Sequence, residues 1–313
     1  MGKRKLPQSI AHRGYKAAYP ENTLYAFKTA VEEGRAHAIE TDIHLTKDDV
    51  VVLSHDPDLK RCFGRPERVI DCDWQTISQL RTLRAPYEPM PRLRDLLEYI
   101  SQPSLQHIWI LLDIKLDNDA DNVMRLIAET LASVDPGRNP WQNRVVLGIW
   151  AAKYLPLCVQ YLPKYPVAYI GFSTCYARQF LNVPNVGFNM FAKTLYGPIG
   201  RRFIRDVQGA QRPLYLWTIN EANIMKWSIL RGVDGVITDD PKLFNDVCDS
   251  FDPDTEGSNV RITLAQWLYT FWLYILVAIF SIPMKHRLAG SADSFLKAER
   301  QKLKVKASLV LGA

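Results

Sequence analysis

Short apolar runs alternate with amphipathic stretches along most of the chain. The runs Ser9–His12, Ala38–Ile43, Val50–Ser54, His107–Ile114, Val145–Ile149, Val167–Phe172, Val186–Asn189, Pro213–Ile219 and Gly235–Thr238 are predicted strands. Helical spacing fills the gaps. Thr23–Glu33 repeats Leu24, Phe27 and Val31, and Ala120–Ser133 repeats Val123, Leu126, Ile127 and Leu131. The stretches Lys153–Tyr161, Cys175–Leu181, Pro198–Val207 and Glu221–Leu230 follow the same pattern. Alternation at this spacing predicts a parallel sheet. Eight units in about 240 residues predict a closed TIM (β/α)8 barrel, with a doubly wound open sheet as the alternative. Residues 57–92 break the rhythm with Pro57, Gly64, Pro66, Pro86, Pro89 and Pro91, and read as a small insertion over the barrel mouth.

The barrel is expected over residues 8–250, with a linker at 251–261. The 21 residues from Ile262 to Ile282 carry no charge. As a helix they would run about 30 Å, enough for a membrane segment. A monotopic insertion is the alternative to spanning, because Pro283 can turn the chain back. A core helix is the remaining option. The net charge is +6, but the tail 283–313 holds seven Lys/Arg against Asp293 and Glu299. That tail suits an anionic membrane or lipid-droplet surface. The rest is close to neutral, so binding of nucleic acid by the body is not expected. The five cysteines (62, 72, 158, 175, 248) have no metal or disulfide spacing and fit a reducing compartment. Met1–Pro7 is basic without an apolar core, and reads as no secretory signal.

The chemistry-bearing residues gather at predicted strand ends. Ser9-Ile10-Ala11-His12-Arg13-Gly14 places an imidazole beside a guanidinium, a pair suited to phosphate. His55 follows a second strand, so two histidines could act as acid and base on either side of a phosphorus centre. Glu40 and Asp42 are two apart on one strand and face the same way. With Asp113 they form a hard oxygen site for one divalent cation, Mg²⁺ or Ca²⁺. Lys115, two residues past Asp113, adds a cation for phosphate. A buried salt-bridge network of Asp113, Lys115 and Glu40 would be the structural alternative. His44 could be a ligand or support one. Asn189 and Trp217 also fall at strand ends. Glu21 and Asn22 suit capping and loop geometry as much as a site.

Together, His12-Arg13-Gly14, Pro20-Glu21-Asn22-Thr23, Glu40-Thr41-Asp42, His55-Asp56, Leu112-Asp113-Ile114-Lys115, Trp217-Thr218-Ile219-Asn220 and Gly232–Asp239 resemble the glycerophosphodiester phosphodiesterase family over residues 9–245. The resemblance implies a TIM barrel and a divalent metal on Glu40, Asp42 and Asp113. It also implies His12 and His55 as the acid/base pair, Arg13 and Lys115 as phosphate contacts, and Trp217 as a pocket wall. The family usually carries Glu where this chain has Asp113, one methylene shorter. That departure and the hydrophobic C-terminal segment resemble the fungal phosphatidylglycerol-specific phospholipase C branch, which implies an intracellular membrane or lipid-droplet enzyme.

The expected function is therefore metal-dependent hydrolysis of a glycerophospholipid, with phosphatidylglycerol giving diacylglycerol and glycerol phosphate. Alternatives are cleavage of soluble glycerophosphodiesters, a lysophospholipase D, and a membrane-anchored scaffold without catalysis. The expected location is intracellular and membrane-associated, with the catalytic domain in the cytosol, at the mitochondrion, endoplasmic reticulum or lipid droplet.

Overall fold

A computed structural model describes residues 5–287, 292, 294–298 and 301. The tail 283–313 falls largely outside the described residues, as do residues 1–4 of the basic N-terminus. Among the described residues nine strands form: β1 (Gln8–His12), β2 (Ala38–Leu45), β3 (Val51–Leu53), β4 (Trp109–Ile114), β5 (Val145–Ile149), β6 (Val167–Gly171), β7 (Val186–Phe191), β8 (Leu214–Trp217) and β9 (Gly235–Thr238). Eight of them are parallel and close on themselves, β9 pairing with β1 and β1 with β2. The fold is a TIM barrel, not the open sheet. β3 is not a ninth stave. It runs antiparallel to the outer end of β2, pairing Val51, Val52 and Leu53 with Leu45, His44 and Ile43.

Strand periodicity sets what the barrel holds. Ile10, Ala38, Trp109, Tyr215 and Ile237 meet in a common apolar layer together with Trp217. Two residues further along each strand, the alternation of side chains returns to the interior. There the register pairs His12 with Glu40 and Asp42 with Asp113. The apolar layer is thus a floor beneath a polar mouth at the strands' C-terminal ends, the usual place for a site in this fold. Outside, Phe27, Ile39, Ile110, Met124, Phe188, Phe203 and Phe244 belong to the continuous core between strands and helices.

Residues 57–92 form short helical turns around a core of their own, with Leu59, Val69, Ile77 and Met90 packed against Val52 of β3. Arg84 ties this insertion to the loop after β1, donating to the carbonyls of Lys16, Ala17 and Tyr19 at 2.8–3.0 Å. The insertion therefore stands beside the mouth.

The C-terminal segment differs from expectation. Leu264–Arg287 is a helix, but it leans on the barrel. Thr270 Oγ1 donates to Lys193 O at 2.8 Å, and Tyr274 OH to Thr194 O at 2.5 Å. Its polar positions are used in seating it on the loop after β7. Among the described residues no helix is long and apolar enough to cross a membrane. The helix leaves Leu264, Leu268, Phe271, Trp272, Ile275 and Ile279 exposed.

The turn after β1 places the residues that follow it. Arg13 and Gly14 both have positive φ, 56° and 83°. A Cβ on Gly14 would lie 2.8 Å from the Ala26 backbone, so only glycine lets the first helix pack this close. Gly14→Ala should cost about 2 kcal/mol of stability in denaturant unfolding. An unchanged midpoint would show that the turn relaxes freely.

Candidate active site

The mouth is built around three buried carboxylates. Glu40, Asp42 and Asp113 are 4%, 1% and 6% exposed. One oxygen from each lies within 4.8 Å of the others. The shorter Asp113 therefore still reaches the cluster. Burial beside Asp42 and Asp113 pushes the Glu40 carboxyl well above the usual carboxylate range. Asp42 is held below that range despite burial, chiefly by Lys115 and Arg13. Three crowded oxygen donors, one reluctant to ionise, fit a hard divalent cation, whose charge would relieve the repulsion.

Two cations already face these acids. Lys115 Nζ lies 2.6 Å from both Asp42 Oδ1 and Asp113 Oδ2. Arg13 Nε lies 3.3 Å from Asp42 Oδ2, and its Nη1 donates to Glu21 Oε1 at 2.8 Å. Lys115 thus pairs with Asp42 and Asp113, not in a triad with Glu40. Asn22 Nδ2 donates to Asp42 Oδ2 at 2.8 Å, and Thr41 Oγ1 holds the Asn22 carbonyl at 2.8 Å. Asn22 therefore orients a carboxylate, while Thr23 provides the helix cap by accepting from Ala26 N.

The two histidines stand in similar settings. His12 Nδ1 meets Asp239 Oδ1 at 2.5 Å, and Asn220 Nδ2 donates to the other oxygen at 2.8 Å. His55 Nδ1 meets Asp56 Oδ1 at 2.8 Å. Arg61, from the insertion, donates to Asp56 Oδ2 at 2.6 Å and to both oxygens of Glu21 at 2.8 Å. Asp42, Arg13, Glu21, Arg61, Asp56 and His55 therefore form one chain of alternating charge. With Nδ1 engaged by a carboxylate, each imidazole keeps Nε2 for another partner. Burial holds both histidines below the ordinary value, against the pull of Asp239 on His12 and of Asp42 on His55.

Trp217 forms an aromatic wall with Trp150 and Phe191, ring centres 5.8 and 5.0 Å away, and its Nε1 donates to Asn189 O at 3.0 Å. Asn189 Oδ1 is buried without a hydrogen-bond partner, as is Arg13 Nε. His44 does not join the acids. Its Nδ1 lies 2.7 Å from Ser54 O and its Nε2 3.0 Å from Asp117 Oδ2, so it braces the loops that carry His55 and Lys115.

Sequence reasoning missed three residues. Asp239 carries His12, and nothing in its own motif marks it for that role. The signal was its place past β9, which closes against β1. Trp150 Nε1 donates to Asp113 Oδ1 at 2.6 Å. Arg61 lay in a stretch read only as an insertion, and nothing local marked it.

A barrel mouth with paired histidines, clustered acids and two cations defines a phosphodiester hydrolase. The chain belongs to the glycerophosphoryl diester phosphodiesterase family, whose profile matches residues 12–243. A glycerophosphodiester phosphodiesterase of Bacillus altitudinis is 25% identical over 243 residues, covering 75% of this chain and 96% of that one. A human lysophospholipase D is 48% identical over 61 residues, 20% of this chain and 19% of that one. An Oleispira antarctica phosphodiesterase in complex with the product sn-glycerol-3-phosphate superposes with a TM-score of 0.67 at 20% identity, covering 78% of this chain and 98% of that one. It shares the barrel.

The His12 pair can be tested directly. In ¹⁵N NMR, His12 should titrate below the free imidazole value of about 6.5 with its Nδ1 protonated when neutral. Asp239→Asn removes a group that raises its proton affinity, so the titration should move further down. An upward move would refute the pairing.

Proposed function

We propose that this chain hydrolyses glycerol phosphodiesters with His12 and His55 as the acid/base pair. The observation that carries this is the pair itself: each histidine is held at Nδ1 by a carboxylate, beside three buried acids. Glu40, Asp42 and Asp113 would hold one divalent cation, Mg²⁺ or Ca²⁺. When bound, that cation supplies Lewis acidity toward a phosphoryl oxygen and a glycerol hydroxyl.

Glycerophosphocholine, a lysophospholipid and phosphatidylglycerol share one feature, a hydroxyl next to the ester oxygen. One histidine removes its proton as it attacks phosphorus, and the other protonates the departing alkoxide. Water then opens the cyclic phosphate. Arg13 and Lys115 stabilise charge on the phosphoryl oxygens. Where the substrate has a second free glycerol hydroxyl, the unpartnered Asn189 Oδ1 accepts from it, and Trp217 walls the glycerol.

The main reading is a glycerophosphodiester phosphodiesterase acting on deacylated or lysophospholipid substrates. It is supported by what the similar proteins are called. The second reading is phospholipase C cleavage of phosphatidylglycerol at an intracellular membrane or lipid droplet, with the catalytic domain in the cytosol. The favouring observation is the apolar face of the Leu264–Arg287 helix. That helix begins near Glu221, where Gln266 Nε2 reaches Glu221 Oε2 at 3.5 Å, and crosses the loop after β7 on the mouth side.

Purified protein should be assayed on glycerophosphocholine, lysophosphatidylcholine and phosphatidylglycerol, with Mg²⁺, Ca²⁺ or EDTA. The expected result is metal-dependent release of choline that falls at least about 100-fold in His12→Ala and His55→Ala. Diacylglycerol release from phosphatidylglycerol would select the second reading. Equal cleavage of a substrate whose vicinal hydroxyl is methylated would refute the cyclic route. Absence of turnover on all three would leave a scaffold.

A further inference from the structure

Away from the mouth, the helices Pro198–Gly209 and Ala222–Arg231 leave a groove of about 500 Å³ between them. Its walls include Arg201, Arg205 and Gln208 from the first helix and Leu230 and Arg231 from the second, over Ile204. Arg201, Arg205 and Gln208 recur at spacings of four and three, so one helix face carries all of them. The first helix has a single acid, Asp206, and it is engaged by Arg178 on another side at 2.5 Å. Among the described residues, no ion pair joins a carboxylate to Arg201, Arg205 or Arg231, although Lys226 one turn earlier on the second helix has Glu256.

A solvated arginine face is the ordinary explanation for such a cluster, and Arg201 and Arg205 alone would fit it, since both are exposed. Arg231 does not. Its Nε is buried and has no hydrogen-bond partner. Its guanidinium lies over the Trp227 ring, 5.4 Å from the centroid. The backbone behind it is fixed, because Gln208 Nε2 donates to the carbonyls of Arg231 at 2.8 Å and Gly232 at 3.1 Å. Burial and the nearby Arg201 both hold the Arg231 guanidinium below its usual proton affinity. Arg231 is partly shielded from water that would otherwise screen its charge, so an anion in the concavity would compensate all three cations, and guanidinium forks match the oxygens of a phosphate.

We propose that this groove is an anion site that takes a phosphate group, outside the barrel mouth and separate from catalysis. The phosphate belongs either to the headgroup of an anionic lipid or to a free phosphate ester. The argument does not rest on the substrate of the mouth.

The test compares full-length protein with Arg201→Ala/Arg205→Ala, two exposed positions whose loss should leave the fold intact. Two probes are used: phosphatidylcholine vesicles with and without phosphatidylserine, in a flotation assay, and inorganic phosphate, in a calorimetric titration. Turnover of glycerophosphocholine by both proteins checks that the mouth is unaffected. The double variant should lose affinity for the phosphatidylserine vesicles about 30-fold, from two basic groups near an anionic surface. Arg201→Lys/Arg205→Lys should recover vesicle binding only in part, because an ammonium keeps the charge without the bidentate fork. Loss confined to vesicles assigns the site to a lipid headgroup, and loss confined to inorganic phosphate assigns it to a soluble ester. Affinities unchanged for both probes, with turnover intact, would overturn the proposal.

Discussion

The structure at the mouth depends on keeping three carboxylates together out of water. Burying one ionised carboxylate is costly, and Glu40, Asp42 and Asp113 are buried side by side. Two unit charges 4 Å apart are worth about 4 kcal/mol at the effective dielectric of a partly buried site. The fold answers with Lys115 between Asp42 and Asp113, with Arg13 beside Asp42, and with neutral donors from Asn22 and Trp150. Glu40 is left with backbone, accepting from Arg13 N at 3.1 Å, and resists ionising. Any group that would compete for Arg13 or Lys115, such as a phosphate, weakens this arrangement unless a positive charge replaces it. Phosphate and cation binding are therefore expected to be coupled here.

The two histidines share a design but not an environment. Asp239 keeps its charge for His12, with Asn220 and a Lys16 ammonium 3.6 Å away as its other partners. Asp56 divides its charge between His55 and Arg61. The His12 side chain is 11% exposed, whereas the His55 side chain is 36% exposed. Protonating His12 thus costs more desolvation but gains a less neutralised carboxylate. One sequence element sets each balance. For His12 it is the closing strand β9, and for His55 it is the insertion.

The barrel was legible because strand and helix periods alternate cleanly, and all nine strand positions have counterparts in the structure. The mouth residues were legible because period-two spacing puts Glu40 with Asp42 and Asp113 with Lys115 on one face. What was not legible is what depends on closure. His12 and Asp239 are separated by 227 positions, and only the β9–β1 pairing joins them. Arg61 sits in a loop whose composition says nothing of the two carboxylates it bridges. For His44, two residues beyond Asp42, spacing leaves both a ligand and a supporting role open. The antiparallel turn of β3 bends the chain so that its ring meets Ser54 instead.

The C-terminal segment shows what hydropathy alone leaves out. Hydropathy counts an uncharged stretch as apolar and does not ask where its hydroxyls go. In the helix Leu264–Arg287, Thr270 and Tyr274 lie four residues apart and bind consecutive carbonyls of the loop after β7. One stripe is spent on the barrel, and Lys193 of the same loop sits 5.3 Å from the Tyr269 ring. The exposed stripe is that of a surface helix with an apolar outer face. Such a helix cannot move away from the mouth without breaking these bonds. On the reading that it meets lipid, the distance between the lipid surface and the carboxylate cluster is therefore set by the barrel itself, not by a flexible tether.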